Sequence, residues 1–213
     1  QRLPREKRGV TYVSRLQAVQ AAVQHQIDRI AAEQPLSKVA IITFNREVTV
    51  IGDGSNEPSI IAGDRLNDFD EMLLRGKSFA INAPVADAKG GLQTRLFDLE
   101  EGGPTALGPA VVTALGMCEG KRGARIVVCT DGLANVGLGS VEGLKDADDA
   151  ARDAAAAFYE RVGGLAAEHG ICVDVVGIEG DNCDLERLGR MAELAGGNVS
   201  LVNPLNLHKD FSG

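Results

Sequence analysis

The stretch Arg125-Ile-Val-Val-Cys-Thr-Asp-Gly132 constrains the chain more than any other. A short run rich in β-branched residues stops abruptly on Thr130, Asp131 and Gly132. β-branched side chains are stiff at χ1 and suit a pleated strand, and a run without polar alternation reads as a strand buried on both faces. A polar cluster directly after such a strand stands at its carboxyl end, the edge where open α/β sheets bind ligands. Asp131 there is either a ligand for a cation or substrate or a residue capping its own turn. Position alone leaves the two readings level.

The elements around this strand alternate. Residues 1 to 13 lack periodicity, carry Pro4 and Gly9, and read as loop. From Ser14, placed as a cap, Leu16, Val19, Val23, Ile27 and Ile30 recur at helical spacing until Pro35. Val39 to Phe44 reads as a buried strand, and Glu47 to Ile51 alternates as an edge strand joined to it by a tight hairpin. Residues 52 to 88 read as a long excursion around a short helical piece at Met72-Leu-Leu74, with a helix beginning near Lys89. A glycine-rich corner, Glu100 to Pro109, opens a helix with Val111, Ala114, Leu115 and Cys118 on one face. An alanine-rich helix at 147 to 169 turns Phe158, Val162 and Leu165 inward and stops at Gly170. Ile171 to Ile178 is the next strand, Asp184 caps a helix closed by Gly196-Gly197, and Asn198 to Val202 is the last strand. Residues 204 to 213 start a C-terminal helix or tail. This order predicts an α/β doubly wound domain, mostly parallel, with helices on both faces and one antiparallel edge strand.

Composition narrows the function. At 213 residues the chain is long enough for one well-buried domain, and a formal charge of −8 argues against broad nucleic-acid binding. The basic group Arg2, Arg5, Lys7 and Arg8 reads as a solvated tail. No apolar run approaches the ~20 residues that cross a bilayer, and no signal-peptide pattern precedes the domain. Cys118, Cys129, Cys172 and Cys183 lack zinc-site spacing, and Cys129 and Cys172 read as small buried hydrophobes suited to a reducing compartment. Neither glycine corner carries the lysine of a phosphate loop. Ser140 lacks the spacing and the preceding strand of a hydrolase nucleophile, and His25, His169 and His208 read as solvated. Support for enzymatic chemistry is weak, and a non-enzyme is expected.

What remains is oxygen chemistry at two corners. Thr105 lies just before a helix and Asp131 just after a strand, so in a parallel sheet both project at one edge. A hydroxyl and a carboxylate are hard donors suited to Mg²⁺; equally, Thr105 can cap its helix and Asp131 its turn. Gly102-Gly-Pro-Thr105-Ala-Leu-Gly, followed by a strand ending Cys129-Thr-Asp131-Gly, resembles the second and third segments of the metal-ion-dependent adhesion site of von Willebrand factor type A domains. The similarity covers about residues 14 to 203. Gly52-Asp-Gly and Thr130-Asp-Gly-Leu-Ala-Asn-Val-Gly resemble the intracellular branch related to vesicle-coat trunk domains and permuted Ras-type proteins.

The resemblance implies a six-stranded domain that binds a partner protein, often through a divalent cation whose coordination an acidic partner residue completes. Thr105 would be a metal ligand, directly or through water, and Asp131 another, usually through water. Gly102, Gly103 and Gly132 would shape their loops. The chain departs from the pattern in one respect: no Asp-x-Ser-x-Ser precedes Ser14. Most of the ~6 positions around Mg²⁺ would then be water and affinity poor. The strand carrying that segment is normally central, between 39–44 and 125–130. Either the chain is a segment truncated at its N-terminus or those two strands pair directly; truncation is expected, because an open gap would expose two apolar strand edges. The expected function is a cytoplasmic protein-interaction module that engages an acidic partner residue through an incomplete cation site. The alternative is a cation-independent scaffold in a vesicle-coat-like assembly.

Overall fold

The computed structural model of the chain describes residues 15–99, 103–130, 134–140, 149–178 and 185–202. The first helix, α1 (Arg15–Glu33), follows the apolar spacing, with Ile27 buried at its centre. It gives out ahead of Pro35, where the Gln34 amide still donates to the Ile30 carbonyl at 2.7 Å. Ser14, expected to cap it, lies outside the described residues.

The hairpin forms as the alternation requires. β1 (Ile41–Phe44) and β2 (Val48–Gly52) run antiparallel, with Phe44 opposite Val48 and Ile42 opposite Val50. β2 is not the edge, however. The three-residue β3 (Ser59–Ile61) adds antiparallel on its far side. Residues 52 to 88 are therefore built from regular elements, a correction to the expected excursion. After β3 come a 3-10 turn at Gly63–Asn67, α2 (Phe69–Ser78) and the start of α3 (Val85–Phe97). Asp68 caps α2, its carboxylate accepting the Glu71 amide at 2.9 Å, which satisfies one of the donors a helix start leaves open.

The second half is parallel. β4 (Arg125–Thr130), β5 (Cys172–Ile178) and β6 (Val199–Val202) lie in that order, from Ile126 opposite Val173 to Val175 opposite Val199. The crossovers are α5 (Asp149–Glu168) and α6 (Leu185–Leu194). Among the described residues no ladder hydrogen bond joins β1 to β4, so the layer falls into an antiparallel and a parallel half. Direct pairing of these two strands is not seen among the described residues.

Packing unites the halves where the ladder does not. One apolar cluster runs from Val48 and Val50 through Met72 of α2 and α4 (Leu107–Cys118) to Ile126, Val128 and Val173. Each such side chain contributes about 1.5–3 kcal/mol on burial. A second cluster, Ile27, Val85, Ala88 and Leu92, joins α1 to α3, with Val39 and Ile41 against it. Ile42 and Phe44 face the first cluster and Ile41 the second, so helices cover both faces of the β1 half.

Two expectations about burial need correcting. β4 is not buried on both faces: Ile126 and Val128 are buried while Val127 is 53 % exposed. α4 is not amphipathic, since ten of its twelve residues are buried. It sits between α2 and the strands, and its only partly exposed residues are Ala114 and Cys118, one turn apart. Its contact with α2 is backbone to backbone. A Cβ on Gly76 would overlap the Thr113 carbonyl oxygen and lie 2.9 Å from Gly116 Cα, and one on Gly116 would overlap the Leu73 carbonyl. No described helix is long and apolar enough to cross a membrane.

Candidate functional site

Thr105 stands two residues ahead of α4, in a loop that reaches it through Gly103, whose φ of +97° only glycine adopts without strain. Two other loops hold this corner. The Ala106 amide donates to the Asn45 carbonyl at 2.7 Å, which ties the corner to the β1–β2 turn. The Thr105 amide donates to Asn135 Oδ1 at 2.5 Å. In return, the Thr105 carbonyl accepts the Asn135 amide at 3.1 Å and the Val136 amide at 3.3 Å. Asn45 is fixed within its own turn, its side-chain oxygen accepting the Glu47 amide at 3.1 Å.

These bonds place the Thr105 corner beside the chain that has just left β4. Thr130, the last residue of that strand, is 5 % exposed, and Asn135 follows five residues later. Asp131, Gly132 and Gly102 lie outside the described residues, as does His208. The Thr105 hydroxyl makes no hydrogen bond among the described residues. Those residues also hold no group of three or more His, Cys, Asp or Glu side chains able to bind a metal. Of the two ligands the resemblance implies, only Thr105 is among the described residues, which falls well short of the six donors that Mg²⁺ takes.

Sequence reasoning passed over Asn45 and Asn135 as site residues. Asn135 belongs to a motif that carried the resemblance and Asn45 to the turn after β1, and a side-chain amide in a loop at a strand end is a local sign of backbone capping. Which amide each would cap is set by residues far along the chain. Cys129, one residue before the end of β4, has its thiol pushed up to about 11 by burial and is inert as a nucleophile at neutral pH. The shallow depression between α5 and α6 lies on other elements. Arg190 there is bound by Glu160 at 3.3 Å and Glu193 at 2.8 Å, so its charges satisfy one another.

The structure resembles the human COPII-coat protein Sec24c, with a TM-score of 0.63 at 14 % identity over 94 % of this chain and 30 % of that one. It also resembles a von Willebrand factor type A protein from Catenulispora acidiphila, with a TM-score of 0.54 at 16 % identity over 92 % of this chain and 37 % of that one. These likenesses show the fold. In sequence, the chain is 34 % identical over 207 residues to Circularly permutated Ras protein 1 of Dictyostelium discoideum, covering 95 % of this chain and 24 % of that protein. The chain thus spans about a quarter of that relative's length. The model of the Sec23/Sec24 trunk domain matches residues 10–212, and the chain belongs to that family.

Proposed function

We infer that this chain is a non-enzymatic protein-interaction domain within a longer cytoplasmic protein, and that its recognition surface is the edge where the Thr105 corner meets the chain leaving β4. The observation that carries the reading is the reciprocal bonding of Thr105 and Asn135, which brings two loops from different parts of the sequence to one rim. Membership of the trunk family supports a scaffolding role in a coat-like assembly. The partner engages this rim with an acidic residue. Asp131 and Thr105 hold Mg²⁺ weakly at best, because water would fill most of the coordination sphere.

The second reading, a cation-independent scaffold, is favoured by one specific observation: protein hydrogen bonds already fasten the Thr105 corner without any ion. Titrating Mg²⁺ into the full-length protein and its Asp131→Ala variant separates the two. A calorimetric signal abolished by the substitution supports cation-assisted recognition. Binding of the protein's partner that ignores chelator and the Asp131→Ala change replaces it with the scaffold reading.

A further inference from the structure

We propose that Asn135 is the positioning residue of this edge, a side-chain latch that sets where Thr105 sits and makes the two corners move as one. What the latch joins follows from how each side is anchored. Asn135 belongs to a braced segment: its neighbour Ala134 is buried, the Leu138 amide donates to the Leu66 carbonyl at 3.0 Å, and Gly139 lies against Phe158. The Thr105 side enters through Gly103, in the left-handed region, and leaves through Ala106, which is buried and donates to the Asn45 carbonyl at 2.7 Å. Both corners are thus anchored on their far sides, and the Asn135 side chain is the link that fixes the Thr105 peptide between them.

The latch is a two-way bridge. Asn135 uses its side-chain oxygen for the Thr105 amide and its own amide for the Thr105 carbonyl, so the Thr105 peptide groups are occupied and the hydroxyl is the polar group left to offer outward. An asparagine has the right reach, because its short side chain places one acceptor close to its own backbone. Any contact made at either loop is then transmitted to the other through these bonds. The consequence for binding rests on reading this edge as the recognition surface; the latch itself does not.

Residue-resolved hydrogen exchange on the full-length protein tests it. Asn135→Ala should speed exchange of the Thr105 amide by about tenfold, the loss expected for one hydrogen bond. The Ala106 amide, which donates to Asn45 instead, should change little. Asn135→Asp keeps the acceptor at the same reach and should restore protection, whereas Asn135→Gln moves it by one methylene and should not. A urea midpoint for each variant separates a local effect from lost stability. Unchanged Thr105 exchange in Asn135→Ala, or equal rescue by Asp and Gln, overturns the proposal. Faster exchange with no change in the response to added Mg²⁺ upholds the latch and counts against the cation reading of the edge.

Discussion

Asp53 offers the sharpest test of how this fold is held. Its carboxylate is 3 % exposed and takes four hydrogen bonds. Oδ2 accepts the amides of Asn82 at 2.9 Å and Ala83 at 3.0 Å, and Oδ1 accepts the Ser55 amide at 3.1 Å and its hydroxyl at 2.5 Å. Burial pushes this carboxyl's pKa up, but the hydrogen bonds from Ala83, Ser55 and Asn82 outweigh it and hold the group below its ordinary 3.8. The side chain thereby ties the end of β2 to the segment that starts α3. In Asp53→Asn the amide group must face one pair of donors, so one or two of them lose their acceptor, at a cost of about 2–3 kcal/mol at pH 7. For a protein of this size that is a urea midpoint lower by about 1 M. The pH dependence follows from the sign. A carboxyl with a depressed folded-state pKa stabilises fully above its unfolded value and loses that contribution as pH falls below it. Each unit below 3.8 removes up to about 1.4 kcal/mol while the folded state stays ionised. The gap between wild type and Asp53→Asn should therefore narrow by about 1 kcal/mol between pH 7 and pH 3. Taking the difference cancels other carboxylates that titrate alike in both proteins. A gap that stays constant over that range would refute the assignment.

Two glycines on successive helices should respond in opposite directions. Gly116→Ala forces a methyl into the Leu73 carbonyl and should cost about 2–3 kcal/mol, read as a lower melting temperature, because neither helix backbone can yield cheaply. Gly90→Ala in α3 meets nothing within 4 Å and should stabilise by about 0.5–1 kcal/mol in the same scan. Loss of stability at Gly90 would show that the helix surface there is covered in solution.

What could be read in the sequence was what is decided locally. The spacing of Val19, Val23, Ile27 and Ile30 gave α1, and the run Ile126 to Cys129 gave β4, because helix and strand periods write themselves into neighbouring residues. The stretch 52 to 88 was opaque for the opposite reason. β3 is three residues long, Asp53 bonds to residues 29 and 30 positions further on, and α2 depends on Gly76 meeting Gly116. Val127 shows where the pattern misleads: an unbroken apolar run says that a residue suits a strand, and not that something covers it. At the candidate site, the motif nominates Thr105, while its bond to Asn135 is not legible, since the two lie thirty residues apart.

The split between β1 and β4 bears directly on what places the candidate edge. In a continuous sheet, ladder hydrogen bonds would fix the β1–β2 turn relative to the end of β4. Here, among the described residues, they do not. Alignment falls instead to α4, which packs against both β1 and β4 and starts two residues after Thr105. At its first turn, Gly108 lets the helix approach the Leu138 carbonyl so closely that a Cβ would overlap it. The same helix start is thus pressed onto the segment that carries Asn135. The Ala106 bond to Asn45 and the Thr105 bonds to Asn135 are the two ends of one brace, with α4 as its stem. A change in how α4 sits between the halves would shift both corners together, so the geometry of this rim is a property of helix packing more than of strand pairing.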